Sequence, residues 1–272
     1  MVQITDSEFR KIADYIKRHY GIELKPEKKA LVNSRLQSIL NEHGFTSFSQ
    51  YFDFVLKDRT GQAAAAMMNK ITTNHTYFMR EADHFDYLRD TVLPWVKMVA
   101  ARDKDVRIWS AGCSTGQEPY TLAMILSDFF GPEKPMWDTR ILATDISLKA
   151  LDAAKTGVYS DKDIEPLPPT WRMSYFDRVD KTTYAVKESI KSDVIFRRFN
   201  LMDAAFPFRK KFHVIFCRNV MIYFNNDAKY ELVNKFYELT EPGGYLFIGH
   251  AESLSRDHTK YRFIKPAIYR KE

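Results

Sequence analysis

The N-terminal part of the chain places apolar residues at helical spacing. A capping-box pattern over residues 5–8 precedes an apolar stripe at Phe9, Ile12 and Ile16, and Gly21 then ends the predicted helix. Three more helices are predicted over residues 26–41, 48–55 and 63–68. The β-branched and capping residues at positions 71–74 interrupt this pattern, so we expect the first structural unit to end there.

From about residue 80 onward, short apolar runs alternate with helical stretches. This alternation is typical of an α/β domain with a mostly parallel sheet. The predicted strands are residues 106–110, 141–144, 212–217, 245–248 and a terminal strand over 263–269. Between residues 157 and 200, period-two alternation at residues 182–186 and 194–196 predicts a small antiparallel excursion before the sheet resumes.

The composition indicates an ordinary folded protein. Of 272 residues, 45% are apolar and 28% are charged, which excludes a disordered, collagen-like or coiled-coil chain. The two cysteines, Cys113 and Cys217, lack metal-ligand spacing and are too few for a disulfide framework, so we expect no metal and a reducing compartment. No segment approaches the roughly 20 apolar residues that cross a bilayer. We therefore expect a soluble, cytoplasmic protein.

The net charge favours an acidic partner. Lys and Arg number 41 against 35 Asp and Glu, a net charge of +6, and the isoelectric point is about 9.1. Nucleic acid, an anionic membrane and an acidic protein all remain open on this ground. The aromatic content of 14% suits either base stacking or an aromatic core.

A glycine turn joins the first predicted strand to a helix at Gly112-Cys113-Ser114-Thr115-Gly116. Such a turn lets the backbone approach a ligand closely at the carboxyl end of a strand. The turn lacks the Lys-Ser/Thr of a P-loop and the spacing of a dinucleotide fingerprint. Glu118 lies where a phosphate would otherwise bind, which favours a ligand with a cationic group or hydroxyls, although a carboxylate that balances the helix dipole is an equally good interpretation.

Further polar residues follow the other predicted strands. Asp145 ends the second strand and is placed to accept both hydroxyls of a ribose, but taken alone it fits an N-cap for the helix near Leu148 better. Arg218 and Asn219 follow the strand 212–217. The turn and strand over residues 241–249 fit a plain helix-to-strand connection.

Four strings of residues, taken in order, resemble a known family. They are NHTYFMRE at 74–81, WSAGCSTGQEPY at 109–120, ATDI at 143–146 and FCRNVMIYF at 216–224. They resemble the Rossmann-like methyltransferases that use S-adenosylmethionine, and more specifically the CheR family of chemotaxis receptor methyltransferases. The resemblance extends over nearly the whole chain, and a string as long as FCRNVMIYF is highly specific.

The resemblance implies an α/β fold: a Rossmann-like methyltransferase domain with a mostly parallel seven-stranded sheet, a small antiparallel β insertion and an N-terminal all-helical domain. It implies a helical substrate-docking domain over residues 1–73 and a linker that contributes to the cofactor site over residues 74–90. The catalytic domain would then span residues 91–272, with the β subdomain at about 158–197.

Carried over position by position, the cofactor contacts of the family fall on Asn74, Thr76, Arg80, Glu118, Asp145, Asn200, Leu201, Arg218 and Asn219. The carboxylates of Glu118 and Asp145 suit the amino group and ribose hydroxyls of S-adenosylmethionine. Arg80 suits its carboxylate, and Asn200 suits the adenine edge. No metal is expected.

The implied reaction transfers the sulfonium methyl group to a glutamate carboxylate of a chemoreceptor, giving a glutamyl methyl ester and S-adenosylhomocysteine. An ionised carboxylate is already a nucleophile, so the enzyme mainly aligns the reacting atoms. Arg80 and Tyr223 are the candidate catalytic residues, and Arg80 fits a pure cofactor ligand equally well. Related enzymes present basic residues to the acidic methylation region of the receptor's helical bundle, which here implies docking by Lys28, Lys29 and Arg35, although a solvated helix face is the plainer interpretation.

One stretch departs from the family members that tether to a receptor's C-terminal pentapeptide. Their β insertion contains an additional glycine-containing loop, whereas residues 175–184 here contain no glycine. We therefore expect an enzyme that works without a pentapeptide tether. We also expect a monomer that acts without nucleic acid and without membrane insertion. The rival hypotheses are a nucleic-acid methyltransferase and a catalytically silent binder of S-adenosylmethionine that acts in signalling; the sequence Arg218-Asn219-Val220-Met221 lacks the Asn/Asp-Pro-Pro-aromatic tetrad of many adenine methyltransferases.

Overall fold

In a computed structural model, which describes residues 2–72 and 75–272, the chain begins with four helices. They are α1 (Asp6–Tyr20), α2 (Lys29–His43), α3 (Phe48–Lys57) and α4 (Gln62–Ile71). Thr5 and Glu8 form the predicted capping box at the start of α1, and Gly21 ends it with a φ of 68°. The second predicted helix starts as a 3₁₀ turn, Pro26–Lys28, and continues as α2.

The four helices share one apolar core, separate from the cores that flank the sheet. Ile12 and Ile16 of α1 are fully buried with Leu36, Phe48 and Met68. The carboxylate of Glu8 also reaches α3, where it accepts hydrogen bonds from the backbone N–H and the hydroxyl of Ser49 (2.8 and 2.9 Å). The capping box therefore closes the bundle as well as starting its first helix.

The rest of the chain forms an α/β unit. Its helices are α5 (Ala82–Tyr87), α6 (Leu93–Val99), α7 (Gln117–Phe130), α8 (Leu148–Thr156), α9 (Asp161–Ile164), α10 (Pro169–Tyr175), α11 (Glu188–Lys191) and α12 (Asn226–Leu239). Its strands are β1 (Ile108–Ala111), β2 (Ile141–Asp145), β3 (Val158–Ser160), β4 (Phe176–Arg178), β5 (Thr183–Val186), β6 (Val194–Arg198), β7 (Phe212–Cys217), β8 (Thr240–Ile248), β9 (Arg262–Lys265) and β10 (Ile268–Arg270).

Seven strands form the main sheet, in the order β6-β2-β1-β7-β8-β10-β9. The first five are parallel to their neighbours, while β10 pairs antiparallel with β8 and β9. The mostly parallel seven-stranded sheet is thus confirmed. After β1 the chain crosses first to β2 on one side, and it later returns to β7 on the other. The carboxyl ends of β1 and β7 therefore flank a topological switch point, where open α/β sheets bind their ligands.

The small antiparallel sheet is also present, in the order β3-β5-β4. The assignment of residues 194–196 to this excursion is wrong, because they belong to β6 and pair in parallel with β2, with Val194 opposite Ile141. Alternating burial looks the same on the edge of a parallel sheet as in a small antiparallel one, so periodicity alone did not separate the two.

The predicted single terminal strand over residues 263–269 is also wrong, since it is a hairpin of β9 and β10. Pro266 has no N–H to donate to a ladder, and Ala267 adopts a left-handed φ of 63°, so the chain turns there.

Two apolar layers cover the sheet, one containing the buried face of α7 and the other containing that of α12. The helical bundle touches the α/β unit next to the switch point. Ile22 forms an isolated antiparallel bridge with Phe224, and the N–H of Glu23 donates to the carbonyl of Tyr223 (2.8 Å). No helix in the described part of the chain has the length and apolar character needed to cross a membrane.

Candidate functional site

A pocket lies at the carboxyl ends of β1, β2 and β7, between the α/β unit and the helical bundle. The predicted site residues that line it are Lys28, Thr76, Arg80, Glu118, Asp145, Asn200, Leu201, Arg218, Asn219 and Tyr223. Asn74 lies outside the described residues. The structure thus gathers in one cavity side chains that are far apart in the sequence.

The glycine turn after β1 forms one wall of the pocket. Gly112 has a φ of 88°, and a Cβ at this position would lie 2.4 Å from Cγ2 of Val220. The N–H groups of Gly112 and Cys113 both donate to the carbonyl of Thr144 at the end of β2 (2.8 and 2.9 Å). Only glycine lets the backbone of this turn lie so close to Val220. The close packing and the hydrogen bonds to Thr144 together hold the ends of β1, β2 and β7 next to one another.

Asp145 is buried at the end of β2, and both of its carboxylate oxygens accept backbone hydrogen bonds. Oδ2 accepts from the N–H of Ser114 and Oδ1 from that of Ser147, each at 2.8 Å. Ser147 itself caps α8 through Ala150, so Asp145 is not the N-cap. Burial raises the pKa of the Asp145 carboxyl against the opposing effect of these N–H donors. Each oxygen has a second lone pair, with which it can accept from a ligand's hydroxyls.

Arg218 is the centre of a buried ionic network, with only 2% of its side chain exposed. Its guanidinium lies 3.2 Å from Oε2 of Glu81 and 3.4 Å from Oε2 of Glu118, and it also donates to the carbonyl of Arg80. The ring of Phe85 lies 5.1 Å from the guanidinium carbon. One cation thus compensates two carboxylates.

The two carboxylates of this network differ in their pKa. Burial raises the pKa of Glu118, against the charge of Arg218 and a hydrogen bond from Ser110 (2.7 Å). Burial also acts to raise the pKa of Glu81, but the charge of Arg218 and the N–H of His250 outweigh it and hold that pKa below its usual value. Glu118 is therefore the carboxylate that Arg218 compensates less fully, and the one that faces the pocket.

Sequence reasoning missed two acids behind the pocket wall, Glu81, whose side chain is 11% exposed, and Glu252, which is buried. Glu81 appears inside the string NHTYFMRE, but its partner Arg218 follows a strand much later in the chain. Glu252 follows β8, the last parallel strand. Asp145 was identified as an acid at the end of a buried strand, and the same rule finds Glu252 if the short loop 249–251 is allowed between the strand and the acid.

Glu81, His84 and His250 form the one group, within the described ranges, whose possible metal-ligating atoms all lie within 4.8 Å of one another. The Glu81 carboxylate already accepts from Arg218, from Asn219 Nδ2 (3.3 Å) and from the N–H of His250 (3.1 Å). A metal ion there would compete with the guanidinium for the same oxygens, so we assign it no metal-binding role.

Arg80 and Tyr223, the candidate catalytic residues, form a more open part of the pocket. Arg80 is half-buried, donates to the carbonyl of His75 (3.0 Å) and lies 5.7 Å from the ring centroid of Tyr77. Tyr223 is 40% exposed and follows the strand-end residues of β7 in a 3₁₀ turn, Met221–Tyr223. Both side chains retain donor hydrogens that a bound ligand can use.

Asn200 lines the pocket, but its side-chain amide is engaged elsewhere. Nδ2 donates to the carbonyl of His19 near the end of α1 (2.8 Å), and Oδ1 accepts from the N–H of Met202 (3.1 Å). Leu201 is buried beside it. Asn200 thus ties the helical bundle to the α/β unit at the edge of the pocket.

The three candidate docking residues, which lie at the 3₁₀ turn before α2 and on α2, have different surroundings. Lys28 is exposed and borders the pocket. Lys29 pairs with Asp6 of α1 (2.6 Å), while Arg35 is half-buried and donates to the carbonyl of Ile71 at the end of α4. Of the three, only Lys28 lines the pocket itself.

The arrangement has a clear chemical preference. Two carboxylates, Glu118 and Asp145, face a cavity that also holds Arg80, and the remaining lining is largely apolar. Such a cavity suits a ligand that combines hydroxyls, a cationic group and an anionic group with an apolar body.

Comparison with known proteins identifies the family. Residues 7–72 match the model described as "CheR methyltransferase, all-alpha domain", and residues 74–269 match "CheR methyltransferase, SAM binding domain". A chemotaxis protein methyltransferase of Borreliella burgdorferi is 40% identical over 99% of this chain and 96% of its own length.

Two further relatives agree with this match. A probable chemotaxis protein methyltransferase of Rhizobium etli is 37% identical over 92% of this chain and 97% of its own length. The chemotaxis protein methyltransferase of Escherichia coli K12 is 34% identical over 96% of this chain and 88% of its own length. These matches favour neither a nucleic-acid methyltransferase nor a silent binding protein, and they confirm the resemblance seen in the sequence: the chain belongs to the CheR family of S-adenosylmethionine-dependent methyltransferases that act in chemotaxis.

Proposed function

We propose that this enzyme methylates glutamate side chains of chemoreceptors, using S-adenosylmethionine and releasing glutamyl methyl esters and S-adenosylhomocysteine. The observation that carries the proposal is one pocket in which Glu118, Asp145 and Arg80 converge below the half-exposed Tyr223. Family membership supplies the reaction class, and the pocket supplies the residues.

The residues present fit S-adenosylmethionine. Asp145 has lone pairs free for the ribose hydroxyls, and Glu118 has a negative charge for the cationic amino group. Arg80 offers its guanidinium to the carboxylate of the ligand. The other proposed contacts are Asn74, Thr76, Leu201, Arg218, Asn219 and Asn200, whose amide retains a second N–H and a second lone pair for the adenine edge besides its bonds to His19 and Met202.

When bound, S-adenosylmethionine supplies an electrophilic methyl group on a sulfonium. The protein's own contribution is to hold the incoming carboxylate in line and to exclude water from it. Arg80 and the Tyr223 hydroxyl are placed to donate hydrogen bonds to that carboxylate. A carboxylate is ionised at neutral pH, so no residue needs to act as a general base.

Receptor recognition is proposed for the basic surface at Lys28, Lys29 and Arg35. Residues 1–73 carry 11 Lys and Arg against 8 Asp and Glu, a net charge of +3. Lys28 lies at the border of the pocket, so an acidic helical bundle bound there would bring a glutamate to the reacting atoms. Within this proposal, residues 1–73 dock the receptor, residues 74–90 link the two units and residues 91–272 carry out the transfer in the cytoplasm.

We further propose that the enzyme acts as a monomer without a pentapeptide tether. In the β4–β5 hairpin, Asp180 closes the turn by accepting from the N–H groups of Thr182 (2.7 Å) and Thr183 (3.0 Å). This compact turn replaces the glycine-containing loop expected of a tethering enzyme. Micromolar binding of a receptor C-terminal pentapeptide, measured by calorimetry, would contradict this part of the proposal.

The deciding experiment measures transfer of an isotopically labelled methyl group to a purified cytoplasmic fragment of a chemoreceptor. The label should be released by mild alkali, because carboxyl esters hydrolyse there and N-methyl groups do not. A fragment whose methylated glutamates are changed to alanine is the matched control and should take up no label. Label that survives alkali, or label that persists on the alanine fragment, would contradict glutamate methylation.

A further inference from the structure

A buried carboxylate lies behind the part of the pocket wall that carries Asn219 and Tyr223. Glu252 is 7% exposed and follows β8. Its Oε2 accepts from the N–H groups of Asn219 (3.0 Å) and Gly249 (2.5 Å), and its Oε1 accepts from the N–H of Ile222 (3.1 Å). One side chain thus binds both ends of the turn that follows β7.

This turn has a conformation that needs outside support. Asn219 adopts a left-handed φ of 59°, a region that residues other than glycine rarely occupy, although asparagine enters it more readily than most. Its backbone N–H is held by Glu252 and its side-chain Nδ2 by Glu81 (3.3 Å). A Cβ on Gly249 would lie 2.4 Å from that Nδ2, so the loop after β8 is shaped to let Asn219 approach.

The charge of Glu252 is stabilised by the backbone of this turn. Within residues 2–72 and 75–272, no Lys, Arg or His forms an ion pair with Glu252. Burial raises its pKa, while the N–H groups of Gly249, Asn219 and Ile222 act in the opposite direction. A buried carboxylate is unfavourable without such donors. Because these three donors belong to the turn and to the loop after β8, we assign Glu252 the role of holding the turn in place.

We propose that Glu252 is a positioning residue for methyl transfer: through three backbone hydrogen bonds it holds the turn that presents Asn219 to the cofactor and Tyr223 to the substrate carboxylate. Glu252 touches neither ligand itself. The inference rests on the proposed function for the roles of Asn219 and Tyr223, while the hydrogen bonds themselves are independent of it.

Glutamine at this position tests the charge and the acceptors with almost no change in volume. An amide nitrogen donates and cannot accept, so Glu252→Gln leaves at least one of the three N–H groups facing another donor. The matched control is Glu241→Gln. Glu241 lies at the start of β8, whereas Glu252 follows the end of that strand, and the Glu241 carboxylate pairs with Arg107.

In the kinetic arm, Glu252→Gln should lower kcat at least tenfold and raise the KM for S-adenosylmethionine, with the KM for the receptor unchanged. Tyr223→Phe should lower kcat alone. The kcat of the double variant should be no more than about twofold below that of the slower single variant. Glu252→Gln misplaces the Tyr223 hydroxyl and Tyr223→Phe removes it, so both changes act on the same contact. A Glu252→Gln enzyme within twofold of the parent, or losses that multiply in the double variant, would overturn the inference.

In the structural arm, hydrogen exchange is followed at the amides of Asn219, Ile222 and Gly249. They should exchange at least tenfold faster in Glu252→Gln than in the parent and in Glu241→Gln, while the amide of Phe216 in the neighbouring strand is unchanged. Equal exchange at the three amides would overturn the inference. This arm gives an answer even if the parent protein transfers no methyl group to receptors, an outcome that would defeat the proposed function alone.

Discussion

The two walls of the pocket differ in how far their charges are buried and compensated within the protein. The inner wall, made of Glu118, Asp145 and Arg218, is largely buried, and each of its charges is compensated by another charge or by backbone N–H groups. The outer wall, made of Lys28, Arg80 and Tyr223, is partly or fully exposed and retains donors for a ligand. We therefore expect changes in the inner wall to affect stability and cofactor binding, and changes in the outer wall to affect turnover and receptor binding.

The largest effect is expected at Arg218 of the inner wall. Arg218→Met should lower the free energy of unfolding by about 3–5 kcal/mol, because Glu81 and Glu118 would stay buried without their cation. Urea denaturation measures this, and Arg140→Met, which breaks an exposed ion pair with Asp138, is the control. Adding Glu81→Gln should restore part of the loss, and equal destabilisation by the two arginine variants would contradict the distinction between buried and exposed charge.

Protonation of two buried histidines, His84 and His213, should destabilise the fold in acid. Burial, with the charges of Arg218 and Arg107, lowers the pKa of His84 and of His213 to about 4, below the ordinary value of 6.5. At these two histidines the unfolded chain binds more protons than the folded chain between pH 6.5 and about 4, so their contribution to the free energy of unfolding falls as the pH falls through that window. The raised pKa of the Glu118, Asp145 and Glu252 carboxyls acts in the opposite direction in acid.

Each of these histidines contributes at most about 3 kcal/mol to that loss. Urea denaturation from pH 7 to pH 4.5 measures how the free energy of unfolding changes with pH, and in His84→Gln and in His213→Gln any loss of stability in acid should be smaller than in the parent. The exposed His258→Gln is the control and should keep the parent's slope. An unchanged slope in both buried variants would contradict the assignment.

In the outer wall, Tyr223→Phe and Arg80→Ala should lower kcat by about 10- to 100-fold, because each removes a donor that orients the carboxylate. Dissociation constants for S-adenosylmethionine, measured by calorimetry, separate the two residues. Tyr223→Phe should bind the cofactor normally, whereas Arg80→Ala should bind it more weakly. An Arg80→Ala enzyme with normal binding and full turnover would remove the catalytic proposal for that residue.

The smallest effect is expected at the exposed edge of the outer wall. Lys28→Glu should raise the KM for the receptor a few-fold at low salt, and the difference from the parent should shrink as salt screens the charge. Lys29→Glu, which faces Asp6, tests whether position matters as well as charge and should have a weaker effect. Equal responses at the two lysines would indicate attraction by net charge alone.

The difference between the walls also explains which residues of the site could be predicted from the sequence. Glu118 and Asp145 follow apolar strands, so the rule that parallel strands end at one edge located them without any structure. The second partner of Arg218, Glu81, was not predictable in this way, because Glu81 lies on a loop and meets Arg218 only through the fold. Asn200 was assigned to the adenine edge by resemblance, while its contact with His19 depends on how the helical bundle packs.

Errors in the predicted strands have equally local causes. The alternation of Val194 to Phe196 is compatible with either sheet, and only the parallel partner β2 decides between them. Pro266 was a signal for a turn that the strand prediction passed over. The seven-residue spacing of Lys28 and Arg35 predicts that they share one strip of the second predicted helix, but it does not show that the guanidinium of Arg35 reaches the end of α4.

The contacts of Ile22 with Phe224 and of Asn200 with His19 join the helical bundle to two loops of the pocket. In the proposed function, the receptor and the cofactor bind on opposite sides of these contacts between the bundle and the α/β unit. If the receptor tightens these contacts by a given free energy, it must raise the affinity for S-adenosylmethionine by the corresponding factor, and the cofactor must raise the affinity for the receptor by that same factor. Adaptation in a cell would then depend on the cofactor concentration through receptor occupancy as well as through the supply of methyl groups.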